Sequence, residues 1–486
     1  MELRKKIGVF LGPLFFLGAY FSPLLKENPK AHTLLAIFFL IVVWWVTECI
    51  PIPITALLVP VFITVFRIAS VKEAFAPFAN PIIMLFLGSF ILAKAMSVHA
   101  LDQKLACSIL GLKSIAHKRS RILFAFGLTT VFLSMWISNT ATTAMMYPIG
   151  LGILSTINPG NKENSAFGHI LLLMTAYSAS VGGIGTPIGS PPNLIAIGML
   201  EKLAAYRVTF FQWMVISFLI LIPMYLALFL FMKHKMRREK ISLQIRKNSS
   251  PSNRTTPKGL TRPQKNVLIA FSLTVFLWIM PGLVSLIWGR EAPPSLWLQE
   301  HFPEAVPAII GASLLFLLPV NFKRGRFTLS LKEALRIDWG TLLLFGGGLS
   351  LGFQMFETGL ADSIGRFFIS PGGSASLSLI TLLSISLSVF LTEVTSNTAS
   401  ANMIIPIIIA ISQAASISPL APVLGSAIGC SFAFMLPVAT PPNAIVFGSR
   451  LVPLTKMIKY GFWLNIIGII IIWISIRLIA PFLGLI

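Results

Sequence analysis

Long apolar segments recur along the whole chain with almost no charge inside them, and this limits the fold more than any other feature. They run at roughly 32–51, 54–68, 81–106, 208–232, 266–288, 304–320, 340–356 and 460–484. A bilayer core takes ~20 apolar residues per helix, and lipid offers no partner to a backbone amide or carbonyl. Such segments are therefore expected as membrane-spanning helices. The opening MELRKKIGVFLGPLFFLGAYF has the charged head and apolar body of a signal peptide. No small-x-small cleavage site follows it, so it reads as an uncleaved first span. Composition agrees: 55% of the 486 residues are apolar and 11% charged, with a mean hydropathy of +0.84. A soluble enzyme carries about 25% charged residues. The length suits a carrier or channel and leaves no room for a large soluble domain.

The net charge of +22 would suggest nucleic acid in a soluble protein. Here the basic residues sit in short links between apolar segments, as the positive-inside rule requires. Eleven of the 38 fall between Lys233 and Lys265, where Glu239 is the single acid. That stretch reads as a solvated cytoplasmic loop facing anionic lipid. Arg4, Lys5 and Lys6 put the N-terminus inside, and Lys113, Lys118, Arg119 and Arg121 also fall inside. So do Lys323, Arg324, Arg326, Lys332 and Arg336, whereas Arg290–Glu304 belongs outside. Two further regions, 122–200 and 375–449, are apolar but interrupted by Gly, Pro, Ser, Thr and Asn. The charge map closes if each holds one re-entrant hairpin and one true crossing. The expected fold is an all-α polytopic membrane protein with about eleven transmembrane helices, two re-entrant hairpins and two broken helices. Its C-terminus lies outside.

The interrupted regions repeat one another. Residues 138–149 read SNTATTAMMYPI and 396–407 read SNTASANMIIPI, seven identities in twelve positions. Downstream, 185–198 reads GTPIGSPPNLIAIG and 435–448 reads MLPVATPPNAIVFG. The charge map sends the first hairpin in from the inside and the second from the outside, so the halves form an inverted repeat of the secondary-transporter type. Irregular backbone at membrane depth survives only when buried in protein or lining a wet cavity. Each Ser-Asn-Thr tip therefore offers unpaired backbone groups and compact neutral oxygens to an ion or substrate. Each Pro-Pro-Asn is expected to break a helix in mid-membrane. A lone copy of either motif would mean only an N-cap or a turn; duplication with inversion points to binding.

The acids give no catalytic constellation. Only Glu48 and Glu393 lie well within apolar segments, with Asp338 at a span boundary. Glu48 is expected to bond locally at a span end, beside Trp44 and Trp45 at the membrane interface. Glu393 is expected as structural support, with electrostatic tuning of the second hairpin as the alternative. Cys49, Cys107 and Cys430 form no CxxC and read as small core residues.

At these residues the chain resembles the divalent anion/sodium symporter family, carriers of C4-dicarboxylates and citrate. The resemblance covers nearly the whole chain through WWVTECIPIPITALLVPV at 44–61, SMWISNTATTAMMYPI at 134–149, IGSPPNLI at 188–195, TEVTSNTASANMIIPI at 392–407 and VATPPNAI at 438–445. It implies a homodimer whose transport domain moves like an elevator against a static scaffold. The implied scaffold comprises 1–121 (spans 1–4) and 266–374 (spans 7–9). The implied transport domain comprises 122–232 and 375–486, each with hairpin, broken helix and following span; 233–265 is the basic loop. One sodium site would be Ser134, Ser138, Asn139 and Gly189. The second would be Thr392, Thr395, Ser396, Asn397 and Ala439. The dicarboxylate would touch Asn139, Thr140, Ser190, Ser396, Asn397, Thr398, Thr440 and Pro441. Ser400 stands where the second motif often has Thr. No covalent cofactor is implied, sodium is the coupling ion, and the location is a cytoplasmic (inner) membrane. The motif regions hold no Lys or Arg, so helix N-termini and sodium are expected to balance the dianion. A sodium-independent dicarboxylate or 2-oxoglutarate exchanger, a citrate or sulfate carrier, and a channel remain open as alternatives.

Overall fold

The computed structural model describes residues 2–110, 118–157, 166–238, 259–368 and 376–479. Residues 239–258, most of the basic stretch, lie outside the described residues. The described chain is helical apart from a small ribbon pairing Pro319–Asn321 with Arg326–Phe327. Six helices among the described residues are long and apolar enough to cross a membrane: Pro29–Thr47, Val71–Val98, Phe210–Met236, Arg262–Trp288, Asn397–Ala414 and Leu454–Leu478. Shorter apolar helices include Ile52–Val65, Ala305–Leu317 and Leu377–Thr392.

Polar side chains start these helices where the sequence leaves the apolar runs. Asn28, Asn80, Asp338 and Ser376 each accept an amide hydrogen bond at the N-terminus of the helix that follows, satisfying donors that a helix leaves orphaned. Glu48 ends Pro29–Thr47 in the left-handed conformation, φ 51°, its amide donating to the Trp44 carbonyl. Trp45 is fully buried, so it is a core residue and not an interface aromatic. Cys430 is buried and Cys107 exposed, so only the former fits the core role expected of all three.

The repeat reaches beyond the motif regions. Ser70-Val-Lys-Glu73 and Ser330-Leu-Lys-Glu333 both form capping boxes, each shortly ahead of a long helix, Pro81–Val98 and Trp339–Glu357. Those two helices cross to the other half for their main partner: Pro81–Val98 packs on Ala305–Leu317, and Trp339–Glu357 on Ile52–Val65. Both crossings are glycine contacts. A Cβ on Gly88 would stand 2.6 Å from the Ala308 carbonyl, and one on Gly347 would press into the Ala56 carbonyl. Small residues at a crossing let membrane helices meet backbone to backbone.

Outward faces remain apolar. Val215, Leu219, Ile222, Leu226 and Leu230 form an exposed stripe at helical spacing along Phe210–Arg238, and Leu379, Leu383, Leu387 and Phe390 do so along Leu377–Thr392. Water would penalise such stripes; acyl chains accept them.

Candidate functional site at the hairpins and broken helices

Each interrupted region folds as a hairpin followed by a broken helix. The first hairpin runs up Arg119–Ser134 and returns along Asn139–Ile157; the second uses Leu377–Thr392 and Asn397–Ala414. The first broken helix comprises Ala166–Gly183 and Pro191–Ala204; the second comprises Leu420–Gly429 and Pro441–Gly448. Each hairpin's ascending arm packs on the first half-helix of its own repeat. Each returning arm packs on the restarted half-helix of the other repeat. This exchange packs the two repeats against each other, while each Ser-Asn-Thr tip meets the unwound segment of its own repeat: Asn139 at Gly183 in the first and Thr392 at Cys430 in the second. Among the described residues no hydrogen bond joins the two tripeptides directly.

The prolines act differently from their expected role. The unwound stretches precede Pro-Pro-Asn, and Pro191 and Pro441 are the first residues of the restarted helices. A proline at that position forfeits only an amide that had no helical partner anyway. The breaks are held by the asparagines instead. Asn193 Nδ2 donates to the Gly183 carbonyl at 2.9 Å and the Thr186 carbonyl at 2.8 Å. Asn443 Nδ2 donates to Ala433 at 2.9 Å and Leu436 at 3.0 Å. The sequence reading missed this role, although the recurrence of Asn at the end of each motif was its signal. Both asparagines are fully buried, and in both the amide oxygen finds no donor.

The tips match as closely. Ser134 Oγ donates to Asn139 Oδ1 at 2.8 Å, and Thr392 Oγ1 to Asn397 Oδ1 at 2.7 Å. Ser138 Oγ accepts from the Ala141 amide and Ser396 Oγ from the Ala399 amide, so both serines cap the returning arms. Thr142 and Ser400, at matching positions, each bury a hydroxyl with no partner.

Ser134, Asn139 and Gly189 come together in the first half. A Cβ on Gly189 would lie 2.6 Å from the Gly183 carbonyl oxygen, 3.0 Å from that of Met135 and 3.1 Å from that of Ser134. Three carbonyls thus converge on a space that any side chain would fill, with Asn139 against Gly183 beside it. Neutral oxygens at close range are what hard cations bind. In the second half Thr392 Oγ1 also lies 2.9 Å from the Cys430 carbonyl, and Ala439, buried, has a methyl where Gly189 has none. Thr395 lies apart, its hydroxyl donating to the Trp45 carbonyl at 3.5 Å. Ser190 shares a 3.0 Å hydrogen bond with Ser431 that ties the two broken helices together; both are buried. Thr440 caps its helix by accepting from the Asn443 amide. Thr398 lends its carbonyl to Asn402, and Thr140 and Pro441 are exposed.

Two charged side chains join this neutral setting. Glu393, 3% exposed, accepts from the amides of Phe434, Met435 and Leu436. It is the structural support expected of it. Arg4, on the first helix, donates to the Val46 carbonyl and, at 2.9 Å, to the Val394 carbonyl. The motif regions lack a cation in sequence, yet the fold brings one from 390 residues away, and no local pattern could have revealed it.

A polytopic helical core with two hairpins and two mid-helix breaks, lined by neutral oxygens, defines a membrane carrier. Comparison then gives the family. Residues 10–486 match the model of the sodium:sulfate symporter transmembrane region, and the chain belongs to that family, the divalent anion:sodium symporters. It is a multi-pass membrane transporter and not an enzyme. The sodium-dependent dicarboxylate transporter SdcS of Staphylococcus saprophyticus is 35% identical over 501 residues, covering 100% of this chain and 93% of that protein. SdcS of Staphylococcus aureus (strain USA300) is 35% identical, covering 98% and 91%. Among solved structures, the Alcanivorax borkumensis YdaH transporter shares the fold with a TM-score of 0.54 at 14% identity, covering 84% of this chain and 86% of that one.

Proposed function

We propose that the chain is a sodium-coupled carrier of C4-dicarboxylates such as succinate, malate or fumarate, working by an elevator mechanism in a homodimer. The observation that carries this reading is the matched pair of hairpin tips, Ser134–Asn139 and Thr392–Asn397, set around two unwound segments rich in neutral oxygens. Sodium would occupy the carbonyl cradle at Gly189 with Ser134, Ser138 and Asn139, and a second site at Thr392, Thr395, Ser396, Asn397 and Ala439. The dianion would lie between the tips, at Asn139, Thr140, Ser190, Ser396, Asn397, Thr398, Thr440 and Pro441. Helices beginning at Asn139, Pro191, Asn397 and Pro441 aim four N-termini at this centre, each worth about half a positive charge. The relatives' names give sodium and dicarboxylates as the ion and cargo of those proteins.

The halves are read as inverted repeats, with the N-terminus inside and the C-terminus outside. Spans within 1–121 and 266–374 form the scaffold, and 122–232 with 375–486 the transport domain. The exchanged helix crossings at Gly88 and Gly347 are what such symmetry produces. Ser138 and Thr140 are exposed, while Gly189 and Ser190 are buried. The first hairpin enters from the cytoplasm in this reading, and its exposed tip is taken to be reached from that side.

Proteoliposomes test the proposal. Uptake of labelled succinate into vesicles free of dicarboxylate, driven only by an inward sodium gradient, is the expected result. Strict dependence on internal dicarboxylate, with no effect of sodium, would establish an exchanger instead.

A further inference from the structure

Between the helices Ala305–Leu317 and Trp339–Glu357 the chain makes its strand pair, Pro319–Asn321 with Arg326–Phe327. The base of this ribbon is fixed. Asn266, on the helix Arg262–Trp288, donates to Thr328 Oγ1 at 2.8 Å and to the Pro319 carbonyl at 3.3 Å. Thr328 Oγ1 donates in turn to the Leu318 carbonyl at 2.8 Å. The amide of Leu329, a buried residue, donates to the Leu315 carbonyl at 3.1 Å. At the tip Asn321 accepts from the Arg324 amide, and Gly325 turns the chain at φ 58°, a conformation open to glycine without steric cost. The ribbon is thus a preformed finger.

Its surface is apolar and basic together. Phe322, at the tip, is 80% exposed, and Phe327, Leu331, Leu335 and Trp339 are exposed behind it. Lys323, Arg324, Arg326, Lys332 and Arg336 lie among them, all exposed. Among the described residues none of the five forms an ion pair. The two acids of the stretch are engaged in helix caps, Glu333 at Ser330 and Asp338 at Thr341.

The helix leading into the finger, Ala305–Leu317, has 13 residues and rises about 20 Å, less than the ~30 Å core of a bilayer. The finger therefore begins at lipid depth, where aromatic rings gather near the headgroups and long cationic side chains reach up to them. The other end of that helix supplies a contrast. Trp288, Leu296 and Trp297 are exposed there too, but Arg290–Glu304 carries three Glu and one Arg. Apolar exposure is common to both ends; an excess of positive charge belongs to one. A second copy docked by two-fold symmetry would set the five cations against their equals. Anionic lipid answers both features.

We propose that residues 319–339 form a lipid-binding finger whose partner is the anionic phospholipid of the cytoplasmic leaflet. Phe322 and Phe327 sit at the boundary of headgroups and acyl chains, and the cations hold lipid phosphates. This goes beyond the transport reading and uses only its inside placement of the finger.

The test uses the full-length carrier in vesicles of phosphatidylglycerol and phosphatidylcholine. In a background lacking Cys49, Cys107 and Cys430, a nitroxide on Phe322→Cys is expected to collide with oxygen and to be shielded from a water-soluble nickel chelate. Nickel access equal to that of free nitroxide in buffer overturns the proposal. A second measurement needs no cysteine background. Retention of phosphatidylglycerol over phosphatidylcholine by the detergent-purified carrier, read by native mass spectrometry, is expected to fall roughly tenfold when Lys323→Gln, Arg324→Gln and Arg326→Gln are combined. Unchanged retention overturns the proposal, as does an equal loss when three cations of the 233–265 stretch are neutralised instead. Neither readout involves succinate or sodium, so failure here leaves the sodium-coupled reading standing, and failure of that reading leaves the finger standing.

Discussion

Asparagine serves two separate tasks in this protein, and the difference is visible atom by atom. Asn139 and Asn397 turn their amide oxygens to a neighbouring hydroxyl at the hairpin tip. Asn193 and Asn443 spend their amide nitrogens on two carbonyls of a helix break. Asn139→Ala and Asn397→Ala are each expected to abolish uptake and leave a folded protein that elutes like the unaltered one, as vesicle assays and gel filtration would show. Asn193→Ala and Asn443→Ala strand two buried carbonyls each, at about 1–3 kcal/mol per unsatisfied group. They are expected to lower Tm markedly as well as to stop transport. Gly189→Ala provides a third test. Its methyl would occupy the cradle of the Ser134, Met135 and Gly183 carbonyls, so sodium half-saturation is expected to rise at least tenfold. Normal sodium dependence in this variant would remove the cation assignment at that position.

At the scale of helices, local signals and packing agree at the ends and part company in the middle. Capping residues and the left-handed Glu48 mark where helices begin and stop, and such signals are readable within four residues of sequence. The crossings at Gly88–Ala308 and Gly347–Ala56 are set by partners more than 200 residues distant. Gly347→Leu must force the two backbones apart, because a Cβ already meets the Ala56 carbonyl. A loss of more than about 3 kcal/mol is expected, the upper range of overpacking costs, seen as a lower Tm or loss of the monodisperse protein. Ser330→Ala removes only a cap, for about 1 kcal/mol. A larger effect at Ser330 than at Gly347 would contradict this account of the packing.

For the whole molecule, the two sides of the proposed carrier can be told apart by the accessibility of the first tip and the first break. Ser138 and Thr140 are exposed while Gly189 and Ser190 are not. In a background lacking Cys49, Cys107 and Cys430, Thr140→Cys is expected to react with a membrane-impermeant thiol reagent from the cytoplasmic side. Ser190→Cys is expected to stay unlabelled. Labelling of Thr140→Cys only from outside would reverse the assigned topology. Sodium removal acts at the same scale: with choline in place of sodium, dicarboxylate binding is expected to fall at least tenfold if cations and helix N-termini balance the guest's charge as proposed. Equal binding of succinate in choline would overturn that electrostatic account.

Sequence alone determined the helical membrane character, the duplication of the Ser-Asn-Thr and Pro-Pro-Asn regions, and the neutral chemistry of both tips. These depend on hydropathy, on short-range backbone hydrogen bonding and on residue type, all of which a linear pattern carries. It placed the helix breaks at the prolines, a few residues too late, because an unwound turn has no composition of its own. What the tertiary structure decided is which distant group each polar atom meets. Glu393 finds amides 41–43 residues on and an amide nitrogen 72 residues on; Arg4 reaches a carbonyl 390 residues away. Those pairings arise only when distant helices pack together, within one half for Glu393 and across halves for Arg4, and no periodicity within one helix encodes the neighbour it will pack against.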